Sequence, residues 1–231
     1  IRLQTSGSTG KPKIMSASKQ MMLNSAAMTC NFFGLKENDR ALLCLSTDFI
    51  AGKMMIVRSL YRGLDIYPVE PTGHPLKELS CPVEFAAMVP LQVYNSLQSD
   101  IERKKLSQIK NLIIGGGAIN SELETALKVF PNNIYSTYGM TETLSHIGLR
   151  KINGNDASEY YTTLSGVTIN ISENDTLIID IPEVADKTIV TNDIAKIKND
   201  GTFKIIGRID NVINTGGIKV VTEELEQLLQ P

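Results

Sequence analysis

The sequence predicts an α/β fold in which a largely parallel sheet is followed by a small antiparallel β region. Up to about residue 140, short apolar segments alternate with amphipathic helical patterns, which is typical of parallel strands joined by right-handed crossovers. After Leu144, short strand patterns separated by Asn-Asp and Asn-Asp-Gly turns indicate antiparallel pairing. A chain of 231 residues, 42% of them hydrophobic, is long enough to bury a core without disulfide or metal staples.

Apolar spacing and capping residues predict the helices of the first part. Ser18 is a plausible N-cap for a helix over 18–33, and Gly34 and Gly63 stand where two helices end. The other predicted helices are 51–61, 90–97 and 121–130, the last opening on the capping-box pattern Ser-Glu-Leu-Glu. Apolar runs predict strands at 41–45, 64–69, 86–89, 112–114 and 134–136.

The second part of the chain has shorter apolar segments. They predict strands at 145–151, 167–172, 176–181, 194–198 and 202–206. From Asn211 a further strand, a Gly-Gly turn at 216–217 and a helix starting near Thr222 follow.

Composition excludes several classes of function. The 23 Lys and Arg residues against 25 Asp and Glu residues give a net charge of −2, which argues against a nucleic-acid partner bound by a broad basic face. No apolar run approaches the roughly 20 residues that span a bilayer, so no membrane partner is expected. Three widely spaced cysteines form no disulfide framework and no zinc pattern, which favours the reducing cytoplasm.

Residues 5–13 form a loop of hydroxyl groups, glycines and lysines, Thr-Ser-Gly-Ser-Thr-Gly-Lys-Pro-Lys. Glycines let backbone N–H groups turn toward an anion, while hydroxyls and lysines add donors and charge. The loop is not a Walker A motif, because Thr5 and Pro12 stand where Gly and Ser or Thr are required. From the residues alone, a flexible surface loop is the alternative.

Two further motifs follow predicted strands. Gly115-Gly116-Gly117-Ala118 offers a flat backbone edge at a strand's carboxyl end, where open α/β sheets bind ligands. Tyr138-Gly139-Met140-Thr141-Glu142-Thr143 offers a ring to stack, a hydroxyl and a carboxylate able to reach Mg²⁺. Taken singly, the glycine triplet could be only a turn and Tyr138 only a packing residue.

A fourth group of motifs lies in the β region and beyond it. It comprises Thr191-Asn192-Asp193, Gly207-Arg208-Ile209-Asp210 and Gly216-Gly217-Ile218-Lys219. These could be surface turns, with Asp193 and Arg208 as a solvated ion pair.

In this order, the four groups of motifs resemble the adenylate-forming superfamily, which contains acyl-CoA synthetases, nonribosomal adenylation domains and luciferases. The resemblance covers nearly the whole chain. It implies that a carboxylic acid reacts with ATP to give an acyl-adenylate and pyrophosphate, and that a thiol such as that of coenzyme A then displaces AMP. The implied cofactors are ATP, Mg²⁺ and coenzyme A, and the implied partner is a small carboxylic acid.

The resemblance also implies residue roles. The β- and γ-phosphates would be held by Thr5, Ser6, Gly7, Ser8, Thr9, Gly10 and Lys13. Adenine would lie between Gly115, Gly116, Gly117 and Ala118 on one side and Tyr138 with Gly139 on the other. Thr141 would contact the α-phosphate, Glu142 would bind Mg²⁺, Asp193 and Arg208 would hold the ribose, and Lys219 would act in thioester formation.

The resemblance further implies the domain organisation. Residues 1–144 would form the α/β lobe with the phosphate loop and adenine site, and 145–208 the small antiparallel lobe. Residues 209–231 would contain the hinge at Asp210 and the start of a truncated, mobile C-terminal domain. Such a piece is expected to bind nucleotide but to adenylate poorly by itself, and a homodimer is possible.

Two positions depart from the family pattern. Many relatives have a histidine in the segment matching 45–52, where Phe49 stands nearest here, so the acyl group must be oriented otherwise. Asn192 stands where relatives usually have Gly, and little consequence is expected. His146 could line the acyl pocket or be structural, and His74 is expected at the surface.

Three functions are compatible with these motifs. The first is an acid–CoA ligase, and the second is an adenylating enzyme that loads a carrier-protein thiol. The third is a non-catalytic nucleotide-binding module, against which the retained Glu142 and Asp193 count.

Overall fold

The computed structural model describes residues 1–4, 14–215, 218–223 and 225. Its helices are α1 (Lys19–Phe32), α2 (Ile50–Arg62), α3 (Pro90–Leu97), α4 (Asp100–Leu106) and α5 (Ser121–Leu127). The first nine strands are β1 (Arg2–Gln4), β2 (Ile14–Ser16), β3 (Arg40–Leu43), β4 (Asp65–Pro68), β5 (Val83–Met88), β6 (Ile109–Ile114), β7 (Asn133–Gly139), β8 (His146–Lys151) and β9 (Thr162–Thr163). The others are β10 (Thr168–Ile171), β11 (Thr176–Asp180), β12 (Ile189–Ile197), β13 (Phe203–Arg208), β14 (Val212–Thr215) and β15 (Ile218–Val221).

The predicted α/β class is confirmed by the sheet topology. A seven-stranded sheet has the order β4-β3-β5-β6-β7-β8-β9, and its first five strands are parallel. A separate sheet, β10-β11-β12-β13, is antiparallel throughout. Two antiparallel pairs, β1-β2 and β14-β15, stand apart from these sheets, and the second is joined to β13 through the short 3₁₀ turn Ile209–Asn211.

Capping residues define the helix ends largely as predicted. The Ser18 hydroxyl accepts the Met21 N–H at 3.0 Å and so caps α1. Gly63 ends α2 in the left-handed conformation, with φ of +70°, which favours glycine. The predicted cap of α5 is wrong by one residue, because Asn120, not Ser121, accepts the Leu123 N–H.

Helix α4, strand β12 and strand β8 differ from the sequence prediction, as do the short strands β2 and β9, which no pattern predicted. Helix α4 was not predicted, because its sequence Asp-Ile-Glu-Arg-Lys-Lys-Leu buries only Glu102 and Leu106 and has no apolar stripe. Strand β12 begins at Ile189, five residues before the predicted start, and so includes Asp193. Strand β8 does not join the small sheet but pairs with β7 in the large one, antiparallel to it.

Apolar side chains fill both faces of the large sheet and the space below the small one. One cluster centres on Leu42, Leu112 and Ile134, and another joins Met54 to Ile179 and Phe203 across the two sheets. This second cluster fixes the small sheet against the carboxyl end of β7, where the motifs lie. Within the described part of the chain, no helix has the length and apolarity needed to cross a membrane.

Candidate active site

The glycine triplet lies at the carboxyl end of β6, as predicted. A side chain at Gly115 would come within 2.2 Å of the Thr137 hydroxyl on β7, so close packing of the strands requires glycine there. Gly116 has a φ of +80°, and Gly116, Gly117 and Ala118 are exposed. The result is an open backbone edge beside β7, and its contact with adenine stays a prediction.

Tyr138 is the residue before the last of β7, and its side chain contacts the small sheet. Its hydroxyl donates to Asp193 Oδ2 at 2.6 Å, and its ring meets the Phe203 ring edge-on at a centroid distance of 5.4 Å. Burial, followed by the charge of Asp193, raises the pKa of Tyr138, which therefore stays a hydrogen-bond donor. The sequence placed both residues in the nucleotide site, and the structure brings them together across 55 positions of chain.

Asp193 is a nearly buried carboxylate held by three elements. Its Oδ1 accepts from Arg208 Nη1 at 2.7 Å, and its backbone N–H donates to the Thr191 hydroxyl at 3.1 Å. Asp193 and Arg208 are direct partners in the register of β12 with β13. A carboxylate offers about four acceptor positions, so two remain for ribose hydroxyls after Tyr138 and Arg208 are bound.

Thr141 and Glu142 lie on a 3₁₀ turn, Thr141–Thr143, that reverses the chain between β7 and β8. Thr143 holds the turn, because its hydroxyl accepts the Met140 N–H and donates to the Ser145 carbonyl at 2.6 Å. Gly139 is required beside it, since a Cβ there would come within 2.4 Å of that carbonyl. The turn therefore places Thr141 and the exposed Glu142 directly after the carboxyl end of β7.

Glu142 has the chemistry of a magnesium ligand. Its side chain is exposed and has no hydrogen-bond or ion-pair partner among the described residues. The described residues contain no group of three or more His, Cys, Asp or Glu suited to a metal ion. Mg²⁺ typically uses one or two protein carboxylates and completes its shell with phosphates and water, and its binding by Glu142 stays a prediction.

Sequence reasoning missed Arg58, a guanidinium inside the protein. Arg58 lies on α2 in line with Met54 and Met55, is 2% exposed, and its Nη2 donates to the Ser145 hydroxyl. Its Nη1 contacts the Met55 sulfur at 3.6 Å, and its Nε has no partner among the described atoms. An arginine on the apolar stripe of a helix was the available signal.

His146 lies beside Arg58 at the start of β8. Its Nε2 is 3.2 Å from the Thr29 hydroxyl and its Nδ1 is 3.3 Å from the Ser145 hydroxyl. Burial, with Arg58 adding repulsion, lowers the pKa of His146 well below its ordinary value, so the ring is neutral. Burial also lowers the pKa of Arg58 to about 10, which still leaves it charged at neutral pH.

Several predicted residues cannot be placed in the same way. The phosphate loop, including Thr5, Ser6, Gly7, Ser8, Thr9, Gly10 and Lys13, lies outside the described residues, as does the Lys219 side chain. Phe49 precedes α2 and is 60% exposed. His74 is half-exposed, as expected at the surface, but its Nδ1 pairs with the buried Glu102 at 2.9 Å.

The fold and these motifs define a class of protein. The family profile described as AMP-binding enzyme matches residues 3–187, and the chain belongs to this family. The resemblance to the adenylate-forming superfamily is thereby confirmed. Within the superfamily, overall similarity and short motif spacings predict a likeness to the o-succinylbenzoate–CoA ligases of menaquinone biosynthesis, and curated relatives with that name agree with this prediction.

Three comparisons describe the likeness. The 2-succinylbenzoate–CoA ligase of Haemophilus influenzae is 25% identical over 97% of this chain and 52% of its own length. The crystal structure of an acyl-CoA synthetase (AMP-forming)/AMP-acid ligase II-like protein from Dyadobacter fermentans is 37% identical, with a TM-score of 0.86, over 99% of this chain and 65% of that one. Escherichia coli MenE with a bound analogue of OSB-AMS is 23% identical, with a TM-score of 0.81, over 97% of this chain and 51% of that one, and shows the same fold. The chain thus spans about half the length of the curated relatives that it matches.

Proposed function

We propose that the protein is an ATP-dependent, AMP-forming acid–CoA ligase whose acid is o-succinylbenzoate, acting in menaquinone biosynthesis. In the first step a carboxylate oxygen of the acid bonds to the α-phosphorus of ATP and the bond to the β-phosphate oxygen breaks, which releases pyrophosphate. In the second step the coenzyme A sulfur bonds to the acyl carbon and the acyl carbon–oxygen bond breaks, which releases AMP. Membership of the AMP-binding family and the names of the curated relatives support the proposal.

The single observation that supports o-succinylbenzoate as the acid substrate is the uncompensated charge of Arg58. No carboxylate of the described residues pairs with this buried guanidinium, and its Nε has no hydrogen-bond partner among those residues either. A buried charge without a counter-ion costs several kcal/mol, so a bound anion is the expected compensation. Arg58 touches Ser145, three residues after Glu142, and therefore lies next to the turn that would hold the reacting phosphate.

A dicarboxylic acid fits this arrangement. One carboxylate of o-succinylbenzoate is consumed by adenylation, and the other keeps its negative charge throughout the reaction. Arg58 would bind that second carboxylate, with the neutral His146 and the Ser145 hydroxyl as further hydrogen-bonding groups. A planar guanidinium suits a carboxylate because it can donate two parallel hydrogen bonds.

On the nucleotide side the proposed roles follow the motifs. Asp193 and Arg208 would hold the ribose, the 115–118 edge and Tyr138 the adenine, and Thr141 the α-phosphate. Mg²⁺ bound to Glu142 and to ATP would neutralise charge that develops on the phosphates. Lys13 with its loop would hold the outer phosphates, and Lys219 would act in thioester formation.

A coupled ligase assay on the full-length protein tests the proposal. The acids compared are o-succinylbenzoate, benzoate, succinate and a fatty acid, with AMP and acyl-CoA measured as products. We expect stoichiometric AMP and thioester with o-succinylbenzoate at a kcat/KM at least about 100-fold above the others, the factor that one desolvated charge pair provides. Adenylate formation without transfer to coenzyme A would instead favour loading of a carrier-protein thiol.

The proposal also covers cellular location and oligomeric state. The three cysteines are free, two of them buried, which supports a place in the reducing cytoplasm. A homodimer stays a prediction, which sedimentation of the full-length protein would test.

A further inference from the structure

Asn192 connects two parts of the molecule that the sequence does not bring together. It stands on β12 beside Asp193, and its side-chain amide donates to both carboxylate oxygens of Asp210, each at 3.2 Å. Asp210 lies in the turn Ile209–Asn211, beyond the end of β13. The prediction that Asn192 has little consequence is therefore not what its contacts suggest.

Arg208 closes a ring of four side chains around this contact. Its Nη1 donates to Asp193 at 2.7 Å and its Nη2 donates to Asp210 at 2.8 Å. The hydrogen bond from Arg208, followed by that from Asn192, lowers the pKa of Asp210, so the carboxylate stays charged at neutral pH. The ring Asp193–Arg208–Asp210–Asn192 is closed by the backbone between Asn192 and Asp193. Its charge-assisted hydrogen bonds join the Asp193 carboxylate, which would bind the ribose, to the turn.

The turn is also held from its far side. The Glu223 carboxylate accepts the Arg208 backbone N–H at 3.3 Å and the Asn211 amide at 2.6 Å. Glu223 follows the β14-β15 hairpin in the chain, so its bonds fix the hairpin segment relative to β13. The turn is therefore a junction between the small sheet and the hairpin, with Asn192 on one side and Glu223 on the other.

We propose that Asn192 is a positioning residue that couples nucleotide occupancy of Asp193 to the placement of the turn at 209–211 and of the hairpin after it. This inference rests on the proposed function in one respect, namely that Asp193 binds the ribose. Ribose hydroxyls would occupy the two remaining acceptor positions of the Asp193 carboxylate, beside the one that accepts from Arg208 Nη1, and Arg208 is shared with Asp210. Asn192 holds Asp210 against the same strand, so a change at Asp193 and a change at the turn occur together, and the coupling is reciprocal.

Hydrogen–deuterium exchange of the full-length protein tests the coupling, read on the peptide that covers 209–215 with and without AMP. In Asn192→Gly we expect exchange about fivefold faster without nucleotide, the factor for one net hydrogen-bonding contact, and a smaller response to AMP than in the parent. Asn192→Asp keeps the shape but places a carboxylate opposite Asp210, so exchange should be faster still, and more so at low salt.

Asn170→Gly is the matched control, because Asn170 is an exposed strand residue of the same sheet and its side chain makes no hydrogen bond with the described residues. It should match the parent in both exchange and AMP response. Parent-like exchange and AMP response in Asn192→Gly, or equal changes in the control, would overturn the inference. A parent that does not bind AMP in calorimetry would instead contradict the ribose role of Asp193, while nucleotide-free exchange would still test the ring itself.

Discussion

Two arginines are linked to the two ends of the segment 138–145, and their surroundings are opposite. Arg58 contacts Ser145 directly, whereas Arg208 is linked to Tyr138 through Asp193. Arg208 is partly exposed and pairs with Asp193 and Asp210, whereas Arg58 is buried and has no carboxylate partner in the described part of the chain. The first cation belongs to a finished network that holds Asp193 in place before any ligand arrives. The second cation is a buried charge without a carboxylate partner in the described residues, so it is available to bind an anionic group of a ligand.

The two elements that carry these arginines explain the contrast. Arg208 is fixed by strand register, because Asp193 lies directly opposite on β12. Arg58 is carried inward on the apolar face of α2, among methionines that offer little polar compensation. We therefore expect Arg208 to stabilise the folded protein and Arg58 to destabilise it.

The largest expected effect concerns the turn between the two arginines. Glu142→Gln should reduce pyrophosphate exchange by about 100-fold or more, because the carboxylate proposed to bind Mg²⁺ beside the reacting phosphate is lost. The affinity for AMP should stay within about twofold, since the ribose and adenine contacts remain. Calorimetry with AMP beside the exchange assay checks both, and a parallel loss of AMP affinity would contradict the metal role.

The next prediction concerns Asp193, the carboxylate that pairs with Arg208. Asp193→Ala should raise the Kd of ATP and of AMP alike by about tenfold, the value of one to two hydrogen bonds to a charged group. Thr188→Ala is a control, because Thr188 is an exposed residue just before β12, and it should leave the Kd values of ATP and AMP unchanged. Nucleotide affinities equal to the parent's in Asp193→Ala would reject the ribose role.

Stability should separate the two arginines in sign. Arg208→Met should lower the free energy of unfolding by about 1–2 kcal/mol, because the Asp193 carboxylate then keeps only Tyr138 as a hydrogen-bond partner among the described residues. Arg58→Met should leave it unchanged or raise it by about 1–2 kcal/mol, because an uncompensated charge leaves the interior and the volume is kept. Urea unfolding of both variants checks this, and a large loss in Arg58→Met would mean that the guanidinium is compensated in the free protein.

The smallest effect is a pH dependence from His146. Its pKa is lowered in the folded protein, so below about pH 6.5 the unfolded chain binds a proton that the folded state does not. Its contribution to stability is therefore present above pH 6.5 and is lost as the pH falls, by at most about 1.4 kcal/mol per unit. His146→Gln should flatten the unfolding curve between pH 6.5 and 5, and an unchanged slope would show that the buried ring does not cause it.

Sequence patterns predicted the layered fold and most helix ends, because periodicity and caps such as Ser18 and Gly63 act locally. They failed at α4, which has no apolar stripe, and at β8, because pairing with β7 depends on the turn at Thr141–Thr143. Tyr138 and Asp193 were each selected by motif, but their contact follows from two sheets packing together. Arg58 was missed because no motif marks it, and a buried arginine reads like a solvated one until its neighbours are known.

Arg58 is proposed to bind the carboxylate of the acid that is not adenylated. The most direct measurement compares kcat/KM for o-succinylbenzoate with that for 4-oxo-4-phenylbutanoate, which lacks the ring carboxylate, in the full-length parent and in Arg58→Met. We expect a preference of about 100-fold in the parent that falls to within about threefold in the variant, because either change removes one partner of the same buried charge pair. The same preference in both proteins would contradict it.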